Sequence, residues 1–83
     1  MLIIYGKTNC GYCTKAKALA EQYHIKYEYR DTGQFEFLEQ MVTLAPKAKT
    51  VPQIWWHGQH IGGYNEFVGE VQDTLGNYGQ EAF

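Results

Sequence analysis

Between Leu2 and Arg30 the chain changes its hydrophobic period twice, and that succession leaves few folds open. Leu2-Ile3-Ile4-Tyr5 is an apolar run too short for a helix and closed by Gly6, so it predicts a buried strand. Lys7-Thr8-Asn9 then forms a loop. Beyond it Cys13, Ala16, Ala20 and Tyr23, with Leu19 beside them, recur at three- and four-residue spacing in an alanine- and lysine-rich segment. That spacing predicts a helix starting at or just after Cys10, with Asn9 or Thr8 as its cap. Ile25, Tyr27 and Tyr29 next alternate with Lys26, Glu28 and Arg30, the period of a strand with one buried face. Strand, helix and strand in this order make a βαβ unit, whose two strands lie parallel.

The rest of the chain adds to that unit. Phe35, Leu38, Met41, Val42 and Ala45 form a second helical stripe that Pro46 ends. Gln53-Ile54-Trp55-Trp56 and His60-Ile61 flank His57-Gly58-Gln59, a hairpin signal in which Gly58 can take a positive φ. Phe67, Val68, Val71 and Leu75 predict a third helix, with Gly76 as its cap. The order β-α-β-α-β-β-α is an α/β fold: one four-stranded mixed sheet flanked by three helices. A chain of 83 residues has room for one core, expected over residues 1–76, with a short frayed tail over 77–83.

Charge narrows the partners. Seven basic and nine acidic side chains leave a net charge of −2, too balanced for a general binder of phosphate backbones, so no nucleic acid partner is expected. No stretch approaches the roughly 20 apolar residues of a membrane helix, and no basic region precedes the apolar run at the N-terminus. A soluble cytoplasmic monomer is the expectation. The charge is also uneven: Lys7, Lys15 and Lys17 stand among the first 20 residues with no acid, and both cysteines lie in that positive part.

Two cysteines three residues apart make a poor staple. Closing so short a loop gains about 2 kcal/mol, against between about 4 and 5 for a cross-link spanning most of the chain. The pair is therefore read as chemical. Cys10-Gly11-Tyr12-Cys13 sits at a strand-to-helix corner, where unpaired backbone N–H groups and the positive end of the helix dipole lower a thiol's pKa. Thiols so placed reach pKa values of about 3.5–7.5. Cys10 is then the nucleophile, and Cys13, one turn inside the helix on the same face, is the resolving thiol. A rival arrangement is a zinc site built from Cys10, Cys13, His57 and His60. The His57-to-His60 spacing is tighter than usual and spans the hairpin turn, so His57, His60 and His24 are read as ordinary surface or half-buried residues.

In the Cys10-Gly11-Tyr12-Cys13 motif, in Thr50-Val51-Pro52 just before a strand and in Gly62-Gly63 just before the last helix, the chain resembles the glutaredoxin family of the thioredoxin fold. The resemblance runs from Leu2 to about Leu75. It implies a cis bond before Pro52 that turns the backbone of Val51 toward Cys10, leaving it free to pair with an extended peptide such as glutathione. It implies further that Gly63, Tyr64 and Asn65 hold the γ-glutamyl end of glutathione, that Lys7 pairs with the glycine carboxylate, and that Tyr12 flanks the sulfur. Lys49 stands where some members carry another base. Two departures stand out: family members usually have Pro at the position of Gly11 and an acid at that of Asn65. The missing charge predicts weaker glutathione binding, which Asn65→Asp would reverse.

The resemblance thus implies a glutathione-dependent thiol–disulfide oxidoreductase acting on protein disulfides or glutathionylated thiols, with ribonucleotide reductase a common client in the family. Glutathione is the reducing co-substrate, and neither metal nor nucleotide is required. Two alternatives share the thiols: a redoxin reduced by a thioredoxin-reductase-type flavoprotein, and a metal module, either the zinc set above or an iron–sulfur cluster joining two subunits through Cys10 and bound glutathione. Trp55, Trp56 and Tyr64 are candidates for a client-facing surface, with at least one tryptophan expected to be buried in the sheet.

Overall fold

The computed structural model describes residues 1–76. Its elements are β1 (Leu2–Gly6), α1 (Gly11–Gln22), β2 (Tyr27–Asp31), α2 (Phe35–Leu44), β3 (Gln53–Trp56), β4 (Gln59–Gly62) and α3 (Tyr64–Val71), which runs on into a π-helical turn over Gln72–Gly76. The sheet order is β2-β1-β3-β4. β1 pairs parallel with β2 and antiparallel with β3, and β3 pairs antiparallel with β4. The expected fold class holds in full.

Alternation along the two central strands divides the core. Leu2, Ile4, Ile54 and Trp56 point to one face, where they meet Ala16 and Ala20 of α1 and Phe67 and Val71 of α3. Tyr5 and Trp55, with Ile3 beside them, point to the other, where Met41, Ala45 and Phe37 of the α2 region cover them. Burial on both faces explains why the expected client-facing tryptophans do not exist as such: Trp55 and Trp56 are 9% and 7% exposed.

Several boundaries differ from the sequence reading for identifiable reasons. The cap of α1 is Cys10, not Asn9 or Thr8, because the Cys10 sulfur itself accepts the Cys13 N–H at 3.2 Å. The far end of α1 closes on His24, whose φ of 57° lets the Ile25 N–H reach the Ala20 carbonyl at 2.8 Å and its own N–H the Glu21 carbonyl at 3.1 Å. This is the Schellman arrangement, with histidine where glycine is usual. The hairpin loop is only His57-Gly58, with φ of 55° and 78°, and Gln59 belongs to β4. Gly76 is the last residue of the π-helical turn, not a cap beyond a regular helix. The expected tail over 77–83 lies outside the described residues.

The largest difference concerns α2. Its expected buried stripe was Phe35, Leu38, Met41, Val42 and Ala45, yet Phe35, Leu38 and Val42 are 74%, 39% and 48% exposed. The inward stripe is Phe37, Met41 and Ala45, spaced four apart and packed on Tyr5 and Trp55. Successive residues of a helix are about 100° apart, so Leu38 and Val42 sit on the neighbouring face, turned away from the sheet.

Candidate active site

Cys10 and Cys13 are joined as a disulfide across the first turn of α1, with their Cα atoms 5.2 Å apart. Cys10 is partly exposed, whereas Cys13 is 1% exposed. No acidic residue occupies the first turn of α1, so nothing there opposes the positive end of the helix dipole. Thr14 turns its backbone N–H and its hydroxyl back onto the Cys10 carbonyl, each at 3.1 Å, which ties the Cys10 backbone to the helix.

The lysines divide. Lys7 shares a groove with Cys10, while Lys15 and Lys17 lie over aromatic rings, Lys15 Nζ 5.0 Å from the Tyr12 ring centre and Lys17 Nζ 4.2 Å from that of Tyr29. The Tyr29 hydroxyl donates to the Lys7 carbonyl at 3.1 Å and so tethers the loop that carries Lys7. Burial, and after it the Asp31 carboxylate, push the Tyr29 hydroxyl above tyrosine's ordinary value. The hydroxyl therefore remains a donor at neutral pH.

Thr50-Val51-Pro52 forms the ridge beside Cys10. The Val51–Pro52 bond is cis, and the Val51 carbonyl oxygen lies 3.8 Å from the Cys10 sulfur. A groove opens on each side of this ridge. The first, about 530 Å³, is lined by Lys7, Cys10, Lys49, Thr50 and Val51 together with Leu38, Met41 and Val42 of α2. The second, about 350 Å³, runs from Tyr12 past Thr50, Val51 and Pro52 to Gly63, Tyr64 and Asn65. The rings of Tyr12 and Tyr64, both of which line it, lie 5.8 Å apart. Every residue expected to bind glutathione thus lines one groove or the other.

The second groove also holds a residue that the sequence reading passed over. Glu66 lines it, and its carboxylate accepts the Gly63 N–H at 2.8 Å. The groove therefore has a carboxylate even though position 65 does not supply one. The signal was present: an acid three residues after a glycine that opens a helix is a common way to satisfy the first free N–H group. Gly62, with φ of 122°, makes the turn that delivers this N–H.

Behind the ridge, Gln53 is the one buried polar side chain among the described residues, 7% exposed. Its amide nitrogen donates to the Thr50 carbonyl at 2.9 Å, so its oxygen faces His60 Nε2 at 2.8 Å. A carbonyl can only accept, which fixes the Gln53 orientation and puts the shared proton on His60 Nε2. We expect Gln53→Glu to unsettle the ridge at neutral pH, because a carboxylate cannot donate to Thr50. KM for a peptide disulfide should rise about tenfold, the cost of leaving one such group unsatisfied, and fall back as acidification protonates the carboxyl. A mutant KM that parallels the wild type across the pH range would show that this bond does not hold the ridge.

The zinc set is not assembled. His60 bonds to Gln53 and stacks on Trp55, His57 stacks on Trp56, and no group of three or more His, Cys, Asp or Glu among the described residues could hold a metal ion. No helix among them is long and apolar enough to cross a membrane.

Comparison with known proteins agrees with this geometry. The glutaredoxin family model matches residues 2–61. Glutaredoxin 1 of Escherichia coli K12 is 37% identical over 83 residues, covering 88% of this chain and 94% of its own. Among solved structures, oxidised E. coli glutaredoxin superposes with a TM-score of 0.73 at 37% identity, over 89% of this chain and 95% of that one. A buckwheat glutaredoxin–glutathione complex gives a TM-score of 0.74 at 28% identity, over 87% of this chain and 68% of that one.

Proposed function

The chain belongs to the glutaredoxin family and is a thiol–disulfide oxidoreductase; from this premise we propose that glutathione is its reductant and that Cys10 and Cys13 carry the exchange. The Cys10 thiolate attacks a protein disulfide or a glutathionylated thiol, forming a mixed disulfide and expelling the substrate's other sulfur as a thiolate. Where Cys13 then attacks Cys10, the bound thiol leaves and the Cys10–Cys13 disulfide remains. Two glutathione molecules reduce it: the first forms a mixed disulfide with Cys10 and frees the Cys13 thiol, and the second attacks that mixed disulfide, so that the pair leaves as oxidised glutathione and the Cys10 thiolate is restored.

The observation that carries this reading is the pair of grooves meeting at the Val51 ridge. Glutathione has a central thiol, an extended backbone and a carboxylate at each end. Lys7 in one groove is suited to the glycine carboxylate, and the free N–H groups at the start of α3 in the other are suited to the γ-glutamyl carboxylate. The Val51 backbone between them is available to pair as an added strand. The solved buckwheat relative is a complex with glutathione, which supports the same use here. A dithiol reduced by glutathione needs a compartment poised by that thiol, so we place the protein in the cytoplasm, acting as a monomer on disulfide or glutathionylated clients such as ribonucleotide reductase.

The test compares two reductants on the same glutathionylated substrate. Turnover is expected with glutathione recycled by glutathione reductase, and little with a thioredoxin-reductase-type flavoprotein and NADPH. The reverse pattern would make the protein a redoxin and overturn the glutathione reading.

A further inference from the structure

Helix α2 is apolar on two adjoining faces, and only one is used by the fold. Phe37, Met41 and Ala45 pack on the sheet, whereas Phe35, Leu38 and Val42 stay exposed. Single exposed apolar side chains are ordinary, but these three follow a helical stripe, and two of them form a wall of the groove that contains Cys10. Cys13 is buried, so a substrate sulfur meets Cys10, which borders this groove.

We propose that the Leu38–Val42 wall docks the polypeptide of a protein client, an extended segment carrying an apolar side chain close to its reactive cysteine. This rests on the exchange chemistry above and deepens it by naming a substrate class. Continuity supplies the argument: a chain long enough to pass the Cys10–Lys7 end of the groove runs on along α2, where it can cover Leu38 and Val42. Glutathione, ending in its glycine, has no side chain to place there. A second copy of this chain is a poorer occupant. A two-fold contact centred on the groove would bring the Lys7 and Lys49 side chains of both copies together, and like charges facing each other weaken association.

The experiment uses dithiothreitol-reduced protein in single turnovers against a set of peptide disulfides that differ only in Leu or Ser at positions flanking the cysteine. Because no glutathione is present, failure of the glutathione reading would leave this preference measurable, and absence of the preference would leave that reading intact. The Leu peptide is expected to react about tenfold faster than the Ser peptide at the best position, a typical discrimination for a small apolar contact. In a Leu38→Ser/Val42→Ser variant that preference should fall below about twofold. Both side chains are substantially exposed, and circular dichroism checks that the fold is kept. Equal rates for the two peptides in the wild type, or an undiminished preference in the variant, would overturn the proposal. So would a dimer, seen by light scattering, that the double substitution dissolves.

Discussion

Cys10→Ser is expected to abolish every exchange activity, whereas Cys13→Ser keeps glutathione-dependent removal of glutathione from protein thiols. The asymmetry follows from position. Cys10 caps α1, borders the open groove and lies 3.8 Å from the Val51 carbonyl, while Cys13 is enclosed against β1. A hydroxyl at position 10 is not ionised at neutral pH, so the rate should fall by at least about three orders of magnitude, to the uncatalysed background. Without Cys13 the mixed disulfide at Cys10 persists until a second glutathione attacks it, which completes the monothiol cycle. Reduction of protein disulfides, where Cys13 resolves the complex, should fall far more than deglutathionylation. Equal loss in the two variants on a glutathionylated substrate would contradict this division of labour.

Gly6→Ala should be damaging both to stability and to the dithiol. An added Cβ would stand 2.7 Å from Tyr29 Cζ and 2.9 Å from the Cys13 sulfur, closer than such atoms approach. Three things meet at that point: the end of β1, the buried sulfur and the ring whose hydroxyl tethers Lys7. Relief requires moving the Tyr29 ring off the Lys7 carbonyl or shifting α1 away from the sheet. Overpacking of this kind costs about 1–3 kcal/mol. For a domain of this size that lowers Tm by about 5–20 °C. The same substitution at Gly11 meets nothing within 4 Å and should leave Tm within a few degrees of the wild type. A scanning calorimetry comparison of the two variants separates a packing effect at position 6 from the general cost of changing a glycine.

Gly6 also shows where sequence reasoning stops. A glycine after an apolar run reads as a strand terminator, yet it pairs with Asp31 inside β1, and what forbids a side chain there comes from Tyr29 and Cys13. The strand and helix order, the Cys10–Cys13 pair and the ridge at Val51 were legible because each depends on local period, spacing or backbone chemistry. The orientation of α2 was not. Its two apolar faces merge into one stripe when only spacing is counted, which hid Phe37 and put Leu38 and Val42 inside. Trp55 and Trp56 gave a similar ambiguity: both were candidates for a client-facing surface with at least one expected inside, and both are buried because both sheet faces are covered. The cap on α1 was missed because sulfur is not among the side chains usually assigned that task. Glu66 was missed because Gly63, the residue whose N–H it accepts, has no side chain to mark the start of the helix.

The exchange chemistry requires the reduced Cys10 sulfur to be ionised at neutral pH by its place at the start of α1. The direct measurement is the rate of alkylation of reduced protein by iodoacetamide against pH, with Cys13→Ser leaving a single thiol to follow. The rate should rise to its plateau with a midpoint well over one unit below the roughly 8.5 of a free cysteine. A midpoint at or above that value would mean that the helix start does not activate Cys10 as the attacking thiolate.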